Sequence, residues 1–381
     1  MCGINGIIHK NLKPTMTDIY RMNHSIRHRG PDDSGSYGFE NVILGHVRLA
    51  ILDLSPKGKQ PMTCDERYWI TFNGEIYNFK DIKKELSKLG HKFFSKTDTE
   101  VILKAYTQWG EACFHMFNGM WSLAILDTKK REVILSRDRY GVKPLYYFSK
   151  DEKFIFSSEI KGIYVTNSDI QLDQNKTLYS EKELSARFTT RYKNIDILPP
   201  GHIFKIDLKS LSIEKYRWWR CLDHIPKVNT NYKKAKEDIK GLLNEAIKIR
   251  LISDVKISTS LSGGLDSGVI FAELNKNFSD DKIDLNPFVF KDDNICFDNA
   301  LELSKKYKRN PHIIEDVKYK PENYKKLFGI SESPEAYFNQ IQIYKHQKNH
   351  GLKISIDGHG ADECLGGYSQ NLINFAFDYQ N

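Results

Sequence analysis

The sequence predicts an α+β domain of packed sheets with helices outside, followed by a parallel α/β domain. Three observations predict it. The chain has 381 residues, enough for two domains of ordinary size. Its first two hundred residues are dense in short runs that alternate or stay continuously apolar, as strands do. Beyond residue 230 strands and helices take turns, which is the signature of a parallel sheet.

The early strands are predicted at 42–52, 68–78, 121–127, 131–138, 144–149 and 153–159. Helices interrupt them. One covers 17–28 after Pro14, and one covers 79–90 with Gly90 as its C-cap. A third covers 97–110, with Thr97 or Asp98 as N-cap and Gly110 as its stop. A Pro-Pro-Gly turn and a short strand follow at 197–207. The segment 218–231 reads as a linker, so the domains are expected at 2–210 and 230–381. An amphipathic helix is predicted over 232–252. Strands are then predicted at 255–261, 286–290 and 352–358, and helices at 265–277, 299–310 and 337–351.

Composition narrows the function. Twenty Tyr and 21 Phe supply enough large apolar surface for a real core. No run approaches the 18 apolar residues of a membrane span. The N-terminus has no basic segment followed by an apolar stretch, so a cytoplasmic protein is expected. The net charge is +8, but the lysines alternate with Glu and Asp at helical spacing, as on solvated helix faces. With no aromatic-basic module beside them, neither a nucleic-acid nor a membrane partner is expected. The six cysteines form no CxxC pair, which argues against zinc and against a disulfide framework.

Three motifs carry chemistry. The chain opens Met1-Cys2-Gly3-Ile4. Removal of Met1 would give Cys2 a free α-amine, with an ordinary pKa of about 7.7–8.0, beside its own thiol. That is an activated nucleophile, although a Cys at this position also arises by chance. The second motif, Ser262-Gly263-Gly264-Leu265-Asp266-Ser267, lies between a predicted strand and helix. Two glycines let backbone N–H groups curl around a phosphate, and the serines add hydroxyl donors. An ordinary Ser-capped turn is the bland alternative. It is not a Walker A loop, lacking GxxxxGK[ST]. Asp266 would hold Mg²⁺ or shape the loop. The third motif, Asp357-Gly358-His359-Gly360-Ala361-Asp362-Glu363, follows the last strand, where α/β sites form. Asp362 and Glu363 suit Mg²⁺ against phosphates, or simply a helix start that favours acids.

With these in view, nearly the whole chain resembles the glutamine-hydrolysing asparagine synthetase family. The resemblance rests on MCGINGII (1–8), RHRGPDDSG (27–35), HVRLAILD (46–53), FNGEIYNF (72–79), SKTDTEVIL (95–103), FNGMWSLAILD (117–127), RDRYGVKPLYY (137–147), SGGLDS and the DGHGADE loop. It implies an N-terminal-nucleophile glutamine amidotransferase domain, a four-layer sandwich of two antiparallel sheets between helices. An ATP-pyrophosphatase-like α/β domain would follow. It also implies roles. Cys2, with its amine as base, attacks the glutamine amide. Asn73 and Gly74 form the oxyanion hole. Arg48 pairs with the glutamine α-carboxylate, and Asp98, with Glu75 beside it, accepts the α-amine. Leu49, Ala50, Ile51 and Leu52 line the pocket. Leu261, Asp357 and Gly358 hold the nucleoside, Ser262, Gly263, Gly264, Asp266 and Ser267 the phosphates, and Phe290 flanks the adenine. Mg²⁺ sits with Asp266 and Asp362. The reaction implied is ATP-dependent adenylylation of a carboxylate, aspartate in the type case, followed by attack of ammonia delivered through an internal passage.

Two departures matter. The family commonly reads SGEGADE, whereas this chain carries His359 where that Glu stands. Histidine exchanges protons near neutrality but is no carboxylate, which opens a competing class of sugar-modifying or cell-surface amidotransferases. The family's further lysine-containing region also has no counterpart before Asn381. The second domain is therefore expected to be incomplete: truncated, inactive, or completed by a partner chain. The segment 371–381 reads as a helix cut short. A homodimer is left open.

Overall fold

A computed structural model describes the chain except residues 168–169, 177, 226–230, 279–280, 292–294, 316–337 and 369–381. It divides into two compact units, Met1–Lys227 and Val228–Asn381.

The strands of the first unit are β1 (Gly3–His9), β2 (Asp33–Phe39), β3 (Val42–Arg48), β4 (Met62–Thr63), β5 (Tyr68–Ile76), β6 (Gly119–Asp127), β7 (Glu132–Arg137), β8 (Tyr146–Lys150), β9 (Lys153–Ser157), β10 (Ile195–Ile197), β11 (His202–Asp207) and β12 (Ile213–Arg217). Its helices are α1 (Met16–Ser25), α2 (Phe79–Lys88), α3 (Asp98–Trp109), α4 (Cys113–Met116), α5 (Ile160–Tyr164) and α6 (Glu181–Ala186). Two antiparallel six-stranded sheets form, in the orders β10-β8-β9-β1-β3-β2 and β12-β11-β7-β6-β5-β4. Alternation decides which side chains go where. Ile4, Ile8 and Leu44 of the first sheet pack against Ala124, Leu126, Leu135 and Phe204 of the second. The opposite face of the first sheet, with Ile7 and Ile43, meets Ile19 and Met22 of α1 and Ile160 and Ile163 of α5. Helix α3 covers the second sheet at β5. The unit is thus the expected four-layer sandwich of helix, sheet, sheet and helix.

The elements differ from the prediction in places. The apolar run 42–52 is strand only to Arg48, because the Arg48 guanidinium gathers the carbonyls of Leu52, Asp53 and Ser55 and the chain turns to meet it. Strands β1, β2, β4, β10 and β12 escaped the sequence reading. They are short or rich in Gly and Ser, so their period is faint. The supposed linker begins inside the unit. Trp218 is buried and stacks on Trp121 at 5.5 Å, and β12 pairs with β11, so the compact unit runs past residue 210.

In the second unit, β13 (Ile257–Thr259) pairs in parallel with β16 (Ile354–Ile356), and β14 (Phe288–Phe290) with β15 (His312–Ile314). A parallel bridge between Ser260 and Phe288 links the two pairs. Helices α7 (Tyr232–Arg250), α8 (Leu265–Asn277), α9 (Ile295–Lys306) and a further helix, Phe338–Asn349, alternate with them. Leu261, Phe271, Val289 and Ala300 form one core cluster, and Ile247, Leu274, Ile283 and Leu285 another. This is the parallel α/β region expected. Helix α7 covers the predicted span, yet Ile239 and Leu242 on it are exposed. Strand β15 was not foreseen; three residues are too few to show a period. The segment 371–381 lies outside the described residues.

Candidate functional site

The first unit holds a cavity of about 560 Å³, counting its open mouth. Cys2, Arg48, Leu49, Ile51, Leu52, Asn73, Gly74, Glu75 and Asp98 all line it. Ala50 does not; it is buried, and its N–H donates to Asp32 Oδ2 at 2.7 Å.

Cys2 enters from the start of β1. The Leu49 N–H donates to Cys2 Sγ at 3.4 Å, and the Sγ lies 3.7 Å from Leu49 O. Burial pushes the thiol pKa up, while the nearby α-ammonium and the Leu49 N–H pull it down. In this chain that α-amine belongs to Met1. Burial lowers it to about 5, and Arg29 and Lys143 push the same way against the Cys2 charge. The main chain of Cys2 is anchored too. Arg29 Nε donates to Cys2 O at 3.0 Å, and Arg29 Nη1 pairs with Glu159 at 2.9 Å.

Asn73 is fully buried on β5. Its Nδ2 is 3.5 Å from Ser122 Oγ, and its Oδ1 has no partner among the described residues. A half-turn of the amide exchanges the two atoms, so this side chain has hydrogen-bonding capacity to spare. Only glycine fits at 74: a Cβ there would lie 2.2 Å from Met120 O. Asp98 opens α3 but does not cap it. Thr97 does, accepting from Glu100 N at 3.2 Å. Asp98 Oδ2 instead accepts from Ile76 N at 3.0 Å. Burial raises its carboxyl to about 6, against the N–H bonds that favour the charge. Arg48 is buried, with Nη1 on Ser55 O at 2.9 Å, Nη2 on Leu52 O at 3.3 Å, and Nη2 also on Asp53 O. It shapes the loop that walls the cavity.

The second unit holds a wider cavity at the carboxyl ends of β13 and β16, about 1360 Å³ with its open side included. Leu261, Ser262, Gly264, Asp266, Ser267, Phe290, Asp357, Gly358 and Asp362 line it, as do Glu363 and His359. Gly263 does not. It turns away at φ +81°, and a Cβ there would lie 1.7 Å from Cys296 O at the start of α9. The loop holds its own shape: Ser262 Oγ meets Ser267 Oγ at 2.8 Å, and Ser262 N donates to Ser267 Oγ at 3.1 Å. Asp357 ties the two strand ends together. Its Oδ1 accepts from Ser260 Oγ at 2.5 Å and Ser355 Oγ at 2.6 Å, and its Oδ2 from Tyr344 OH at 2.9 Å. His359 Nε2 is 2.8 Å from Gln340 Nε2.

Two family models match this chain: one described as a glutamine amidotransferase domain over residues 1–219, the other as asparagine synthase over 238–376. A Methanocaldococcus jannaschii protein assigned to the glutamine-hydrolysing asparagine synthetases is 35% identical across all of this chain and 78% of its own length. The chain belongs to the glutamine-hydrolysing asparagine synthetase family. Glutamine-hydrolysing asparagine synthetase 3 of Bacillus subtilis is 36% identical over 71% of this chain, and synthetase 1 of that organism 29% identical over 97%. The chain spans only 45% and 59% of the lengths of those two Bacillus proteins.

Several lining residues of this family member escaped the sequence reading. Gln60 takes Phe72 N on its Oε1 at 2.7 Å and gives its Nε2 to Thr99 Oγ1 at 3.1 Å, joining β5 to α3 beneath the cavity. Nothing in a KQPM stretch signals that. Gln340 and Tyr344 are bonded to each other at 2.7 Å on the helix Phe338–Asn349. Their i, i+4 spacing was a legible sign of a shared helix face. Lys143 was read only as part of a family motif, yet it reaches the first cavity.

Proposed function

We propose that the chain is a glutamine-dependent amidotransferase that makes asparagine from aspartate with ATP. The observation that carries this reading is the gathering of Cys2, Arg48, Asn73, Gly74, Glu75 and Asp98 around one cavity. The α-amine freed by loss of Met1 takes the proton of the Cys2 thiol. The thiolate attacks the side-chain amide carbon of glutamine, and the oxyanion meets the Asn73 amide and the Gly74 N–H. Ammonia leaves, water hydrolyses the thioester, and glutamate departs. Arg48 and Asp98 orient the substrate through its α-carboxylate and α-ammonium.

In the second cavity the aspartate side-chain carboxylate attacks the α-phosphorus of ATP and pyrophosphate leaves. Ammonia then displaces AMP to give asparagine. Leu261, Phe290, Asp357 and Gly358 would hold the nucleoside, and the 262–267 loop the phosphates. Asp266 and Asp362 line the same cavity, and two carboxylates with phosphate oxygens suit Mg²⁺. When bound, that ion would neutralise phosphate charge. Among the described residues there is no group of three or more His, Cys, Asp or Glu placed to hold a metal ion.

The test is to supply glutamine alone, then glutamine with ATP, Mg²⁺ and aspartate, and to follow glutamate, pyrophosphate and asparagine separately. Asparagine and pyrophosphate in equal amounts are expected. Glutamate without pyrophosphate would sink the synthetase half. A second reading, an acceptor other than aspartate, is favoured by His359, which contacts Gln340 on the cavity wall. Pyrophosphate formed only with another carboxylate would select it.

A further inference from the structure

The RDRYGVKP segment has no part in the chemistry above, yet it is among the most firmly held loops in the first unit. Asp138 Oδ1 accepts from Tyr140 N and Val142 N, each at 3.0 Å. Its Oδ2 accepts from Trp121 N and Lys143 N, again at 3.0 Å. Buried Arg137 closes the loop from the other side, donating to Lys143 O at 2.7 Å, Leu198 O at 2.7 Å and Gly141 O at 2.6 Å. Gly141 makes the turn at φ +67°.

What this frame presents is a buried lysine. Lys143 is 4% exposed, and its Nζ lies 2.9 Å from Met1 Sδ at the wall of the cavity. A thioether is a weak acceptor, so this contact gives a buried ammonium little in return. Loss of Met1 removes that contact and leaves the ammonium among the charges of Glu75, Asp138 and Arg29 at the wall of the cavity.

We propose that Lys143 is a positioning residue of the glutaminase site, its ammonium held at the wall of the Cys2 cavity so that the freed α-amine is neutral, and the thiol more readily ionised, at the working pH. The proposal rests on the glutaminase reading. The proton transfer itself breaks the S–H bond and forms an N–H bond; Lys143 sets the pH at which the neutral base and the thiolate become available. A neighbouring cation disfavours an ammonium and favours a thiolate, so it lowers the pKa of both groups and leaves the driving force for transfer between them nearly unchanged. Arg29 and Lys143 are the cations at this corner, and Glu75, Asp98 and Asp138 the anions. The charge of Lys143 acts on the Met1 amine and the Cys2 thiol in the required sense. Burial brings Lys143 itself down to about 8, with Glu75 opposing, so its effect should fade above that pH.

The experiment compares the full chain with its Lys143→Met and Lys143→Arg variants, after mass spectrometry has established that Met1 is absent. Two quantities are followed against pH: the rate of iodoacetamide alkylation of the Cys2 peptide, and kcat/KM for glutamine. With Lys143→Met both acid limbs should move up by about one pH unit and rejoin the parent above pH 8. Lys143→Arg should restore most of the shift. An unmoved alkylation midpoint, with kcat/KM lowered by one factor at every pH or not lowered at all, would overturn the proposal. Should Lys143→Met fail to fold, Lys143→Gln asks the same question. If the parent consumes no glutamine, the glutaminase reading fails, while the alkylation profile still decides the role of Lys143.

Discussion

At Cys2, position two alone could not separate a nucleophile from an accident. The surroundings support the proposed nucleophile: Leu49 N–H on the sulfur, Arg29 on the carbonyl, and Asn73, Gly74 and Asp98 around the same cavity. Cys2→Ala should therefore lower glutamine consumption at least ~10³-fold and leave ammonia-dependent synthesis unchanged. Glutamate and asparagine assays with each nitrogen source check it, and loss of both activities would contradict two separate sites. Asp98 is a second case. The sequence left it as either a cap or a ligand, because both uses favour an acid at a helix start. Thr97 makes the cap, so the Asp98 carboxylate is released to the cavity wall. Ala50 is the reverse case. It sits amid a lining stretch, but its backbone is spent on Asp32.

At the scale of elements, the caps and stops were legible because they are local. Thr97 caps α3, and Gly90 and Gly110 take the positive φ values that follow α2 and α3, as read; the capping box of Thr15 with Asp18 on α1 was not read. The latch between the 27–29 turn and the start of α5 was not legible. Glu159 accepts from His28 Nε2 at 2.8 Å and Arg29 Nη1 at 2.9 Å, and Lys161 lies at 3.0 Å. Burial opposes its charge, yet His28 and Arg29 prevail and hold the carboxyl down at about 2. A carboxyl depressed in the fold stabilises it fully above the ordinary pKa near 4.5 and loses that contribution as pH falls toward 2. Glu159→Gln should cost on the order of 2–3 kcal/mol at pH 7 and flatten the acid limb of stability between pH 4.5 and 2. Denaturant titrations at several pH values measure this. A constant difference down to pH 2 would show that the charge is not the cause.

At the scale of the whole molecule, the proposed function gives the two units separate chemistries. Asp266→Ala should abolish ATP-dependent pyrophosphate release and spare glutamine hydrolysis. Pyrophosphate and glutamate measured on one sample decide it, and unchanged pyrophosphate would refute the nucleotide site. Asp357 explains why such a substitution belongs at 266. The Asp357 carboxylate is spent on Ser260, Ser355 and Tyr344, so removing it would loosen both strand ends rather than test nucleotide binding. The sequence showed acidic residues in both motif loops; which of them ties the strand ends together was a matter of distances.

Local chemistry in the sequence determined most helices and long strands, the two motif loops and family membership. Caps, period and contiguous motifs act within a few residues of chain and need no partner to be read. Tertiary structure decided which of those residues meet. Cys2 and Leu49 are 47 residues apart in sequence, and Met1 and Lys143 are 142 apart. No period or propensity spans such separations. It was the packing of two sheets that brought them together and aimed a buried lysine at the first residues of the chain.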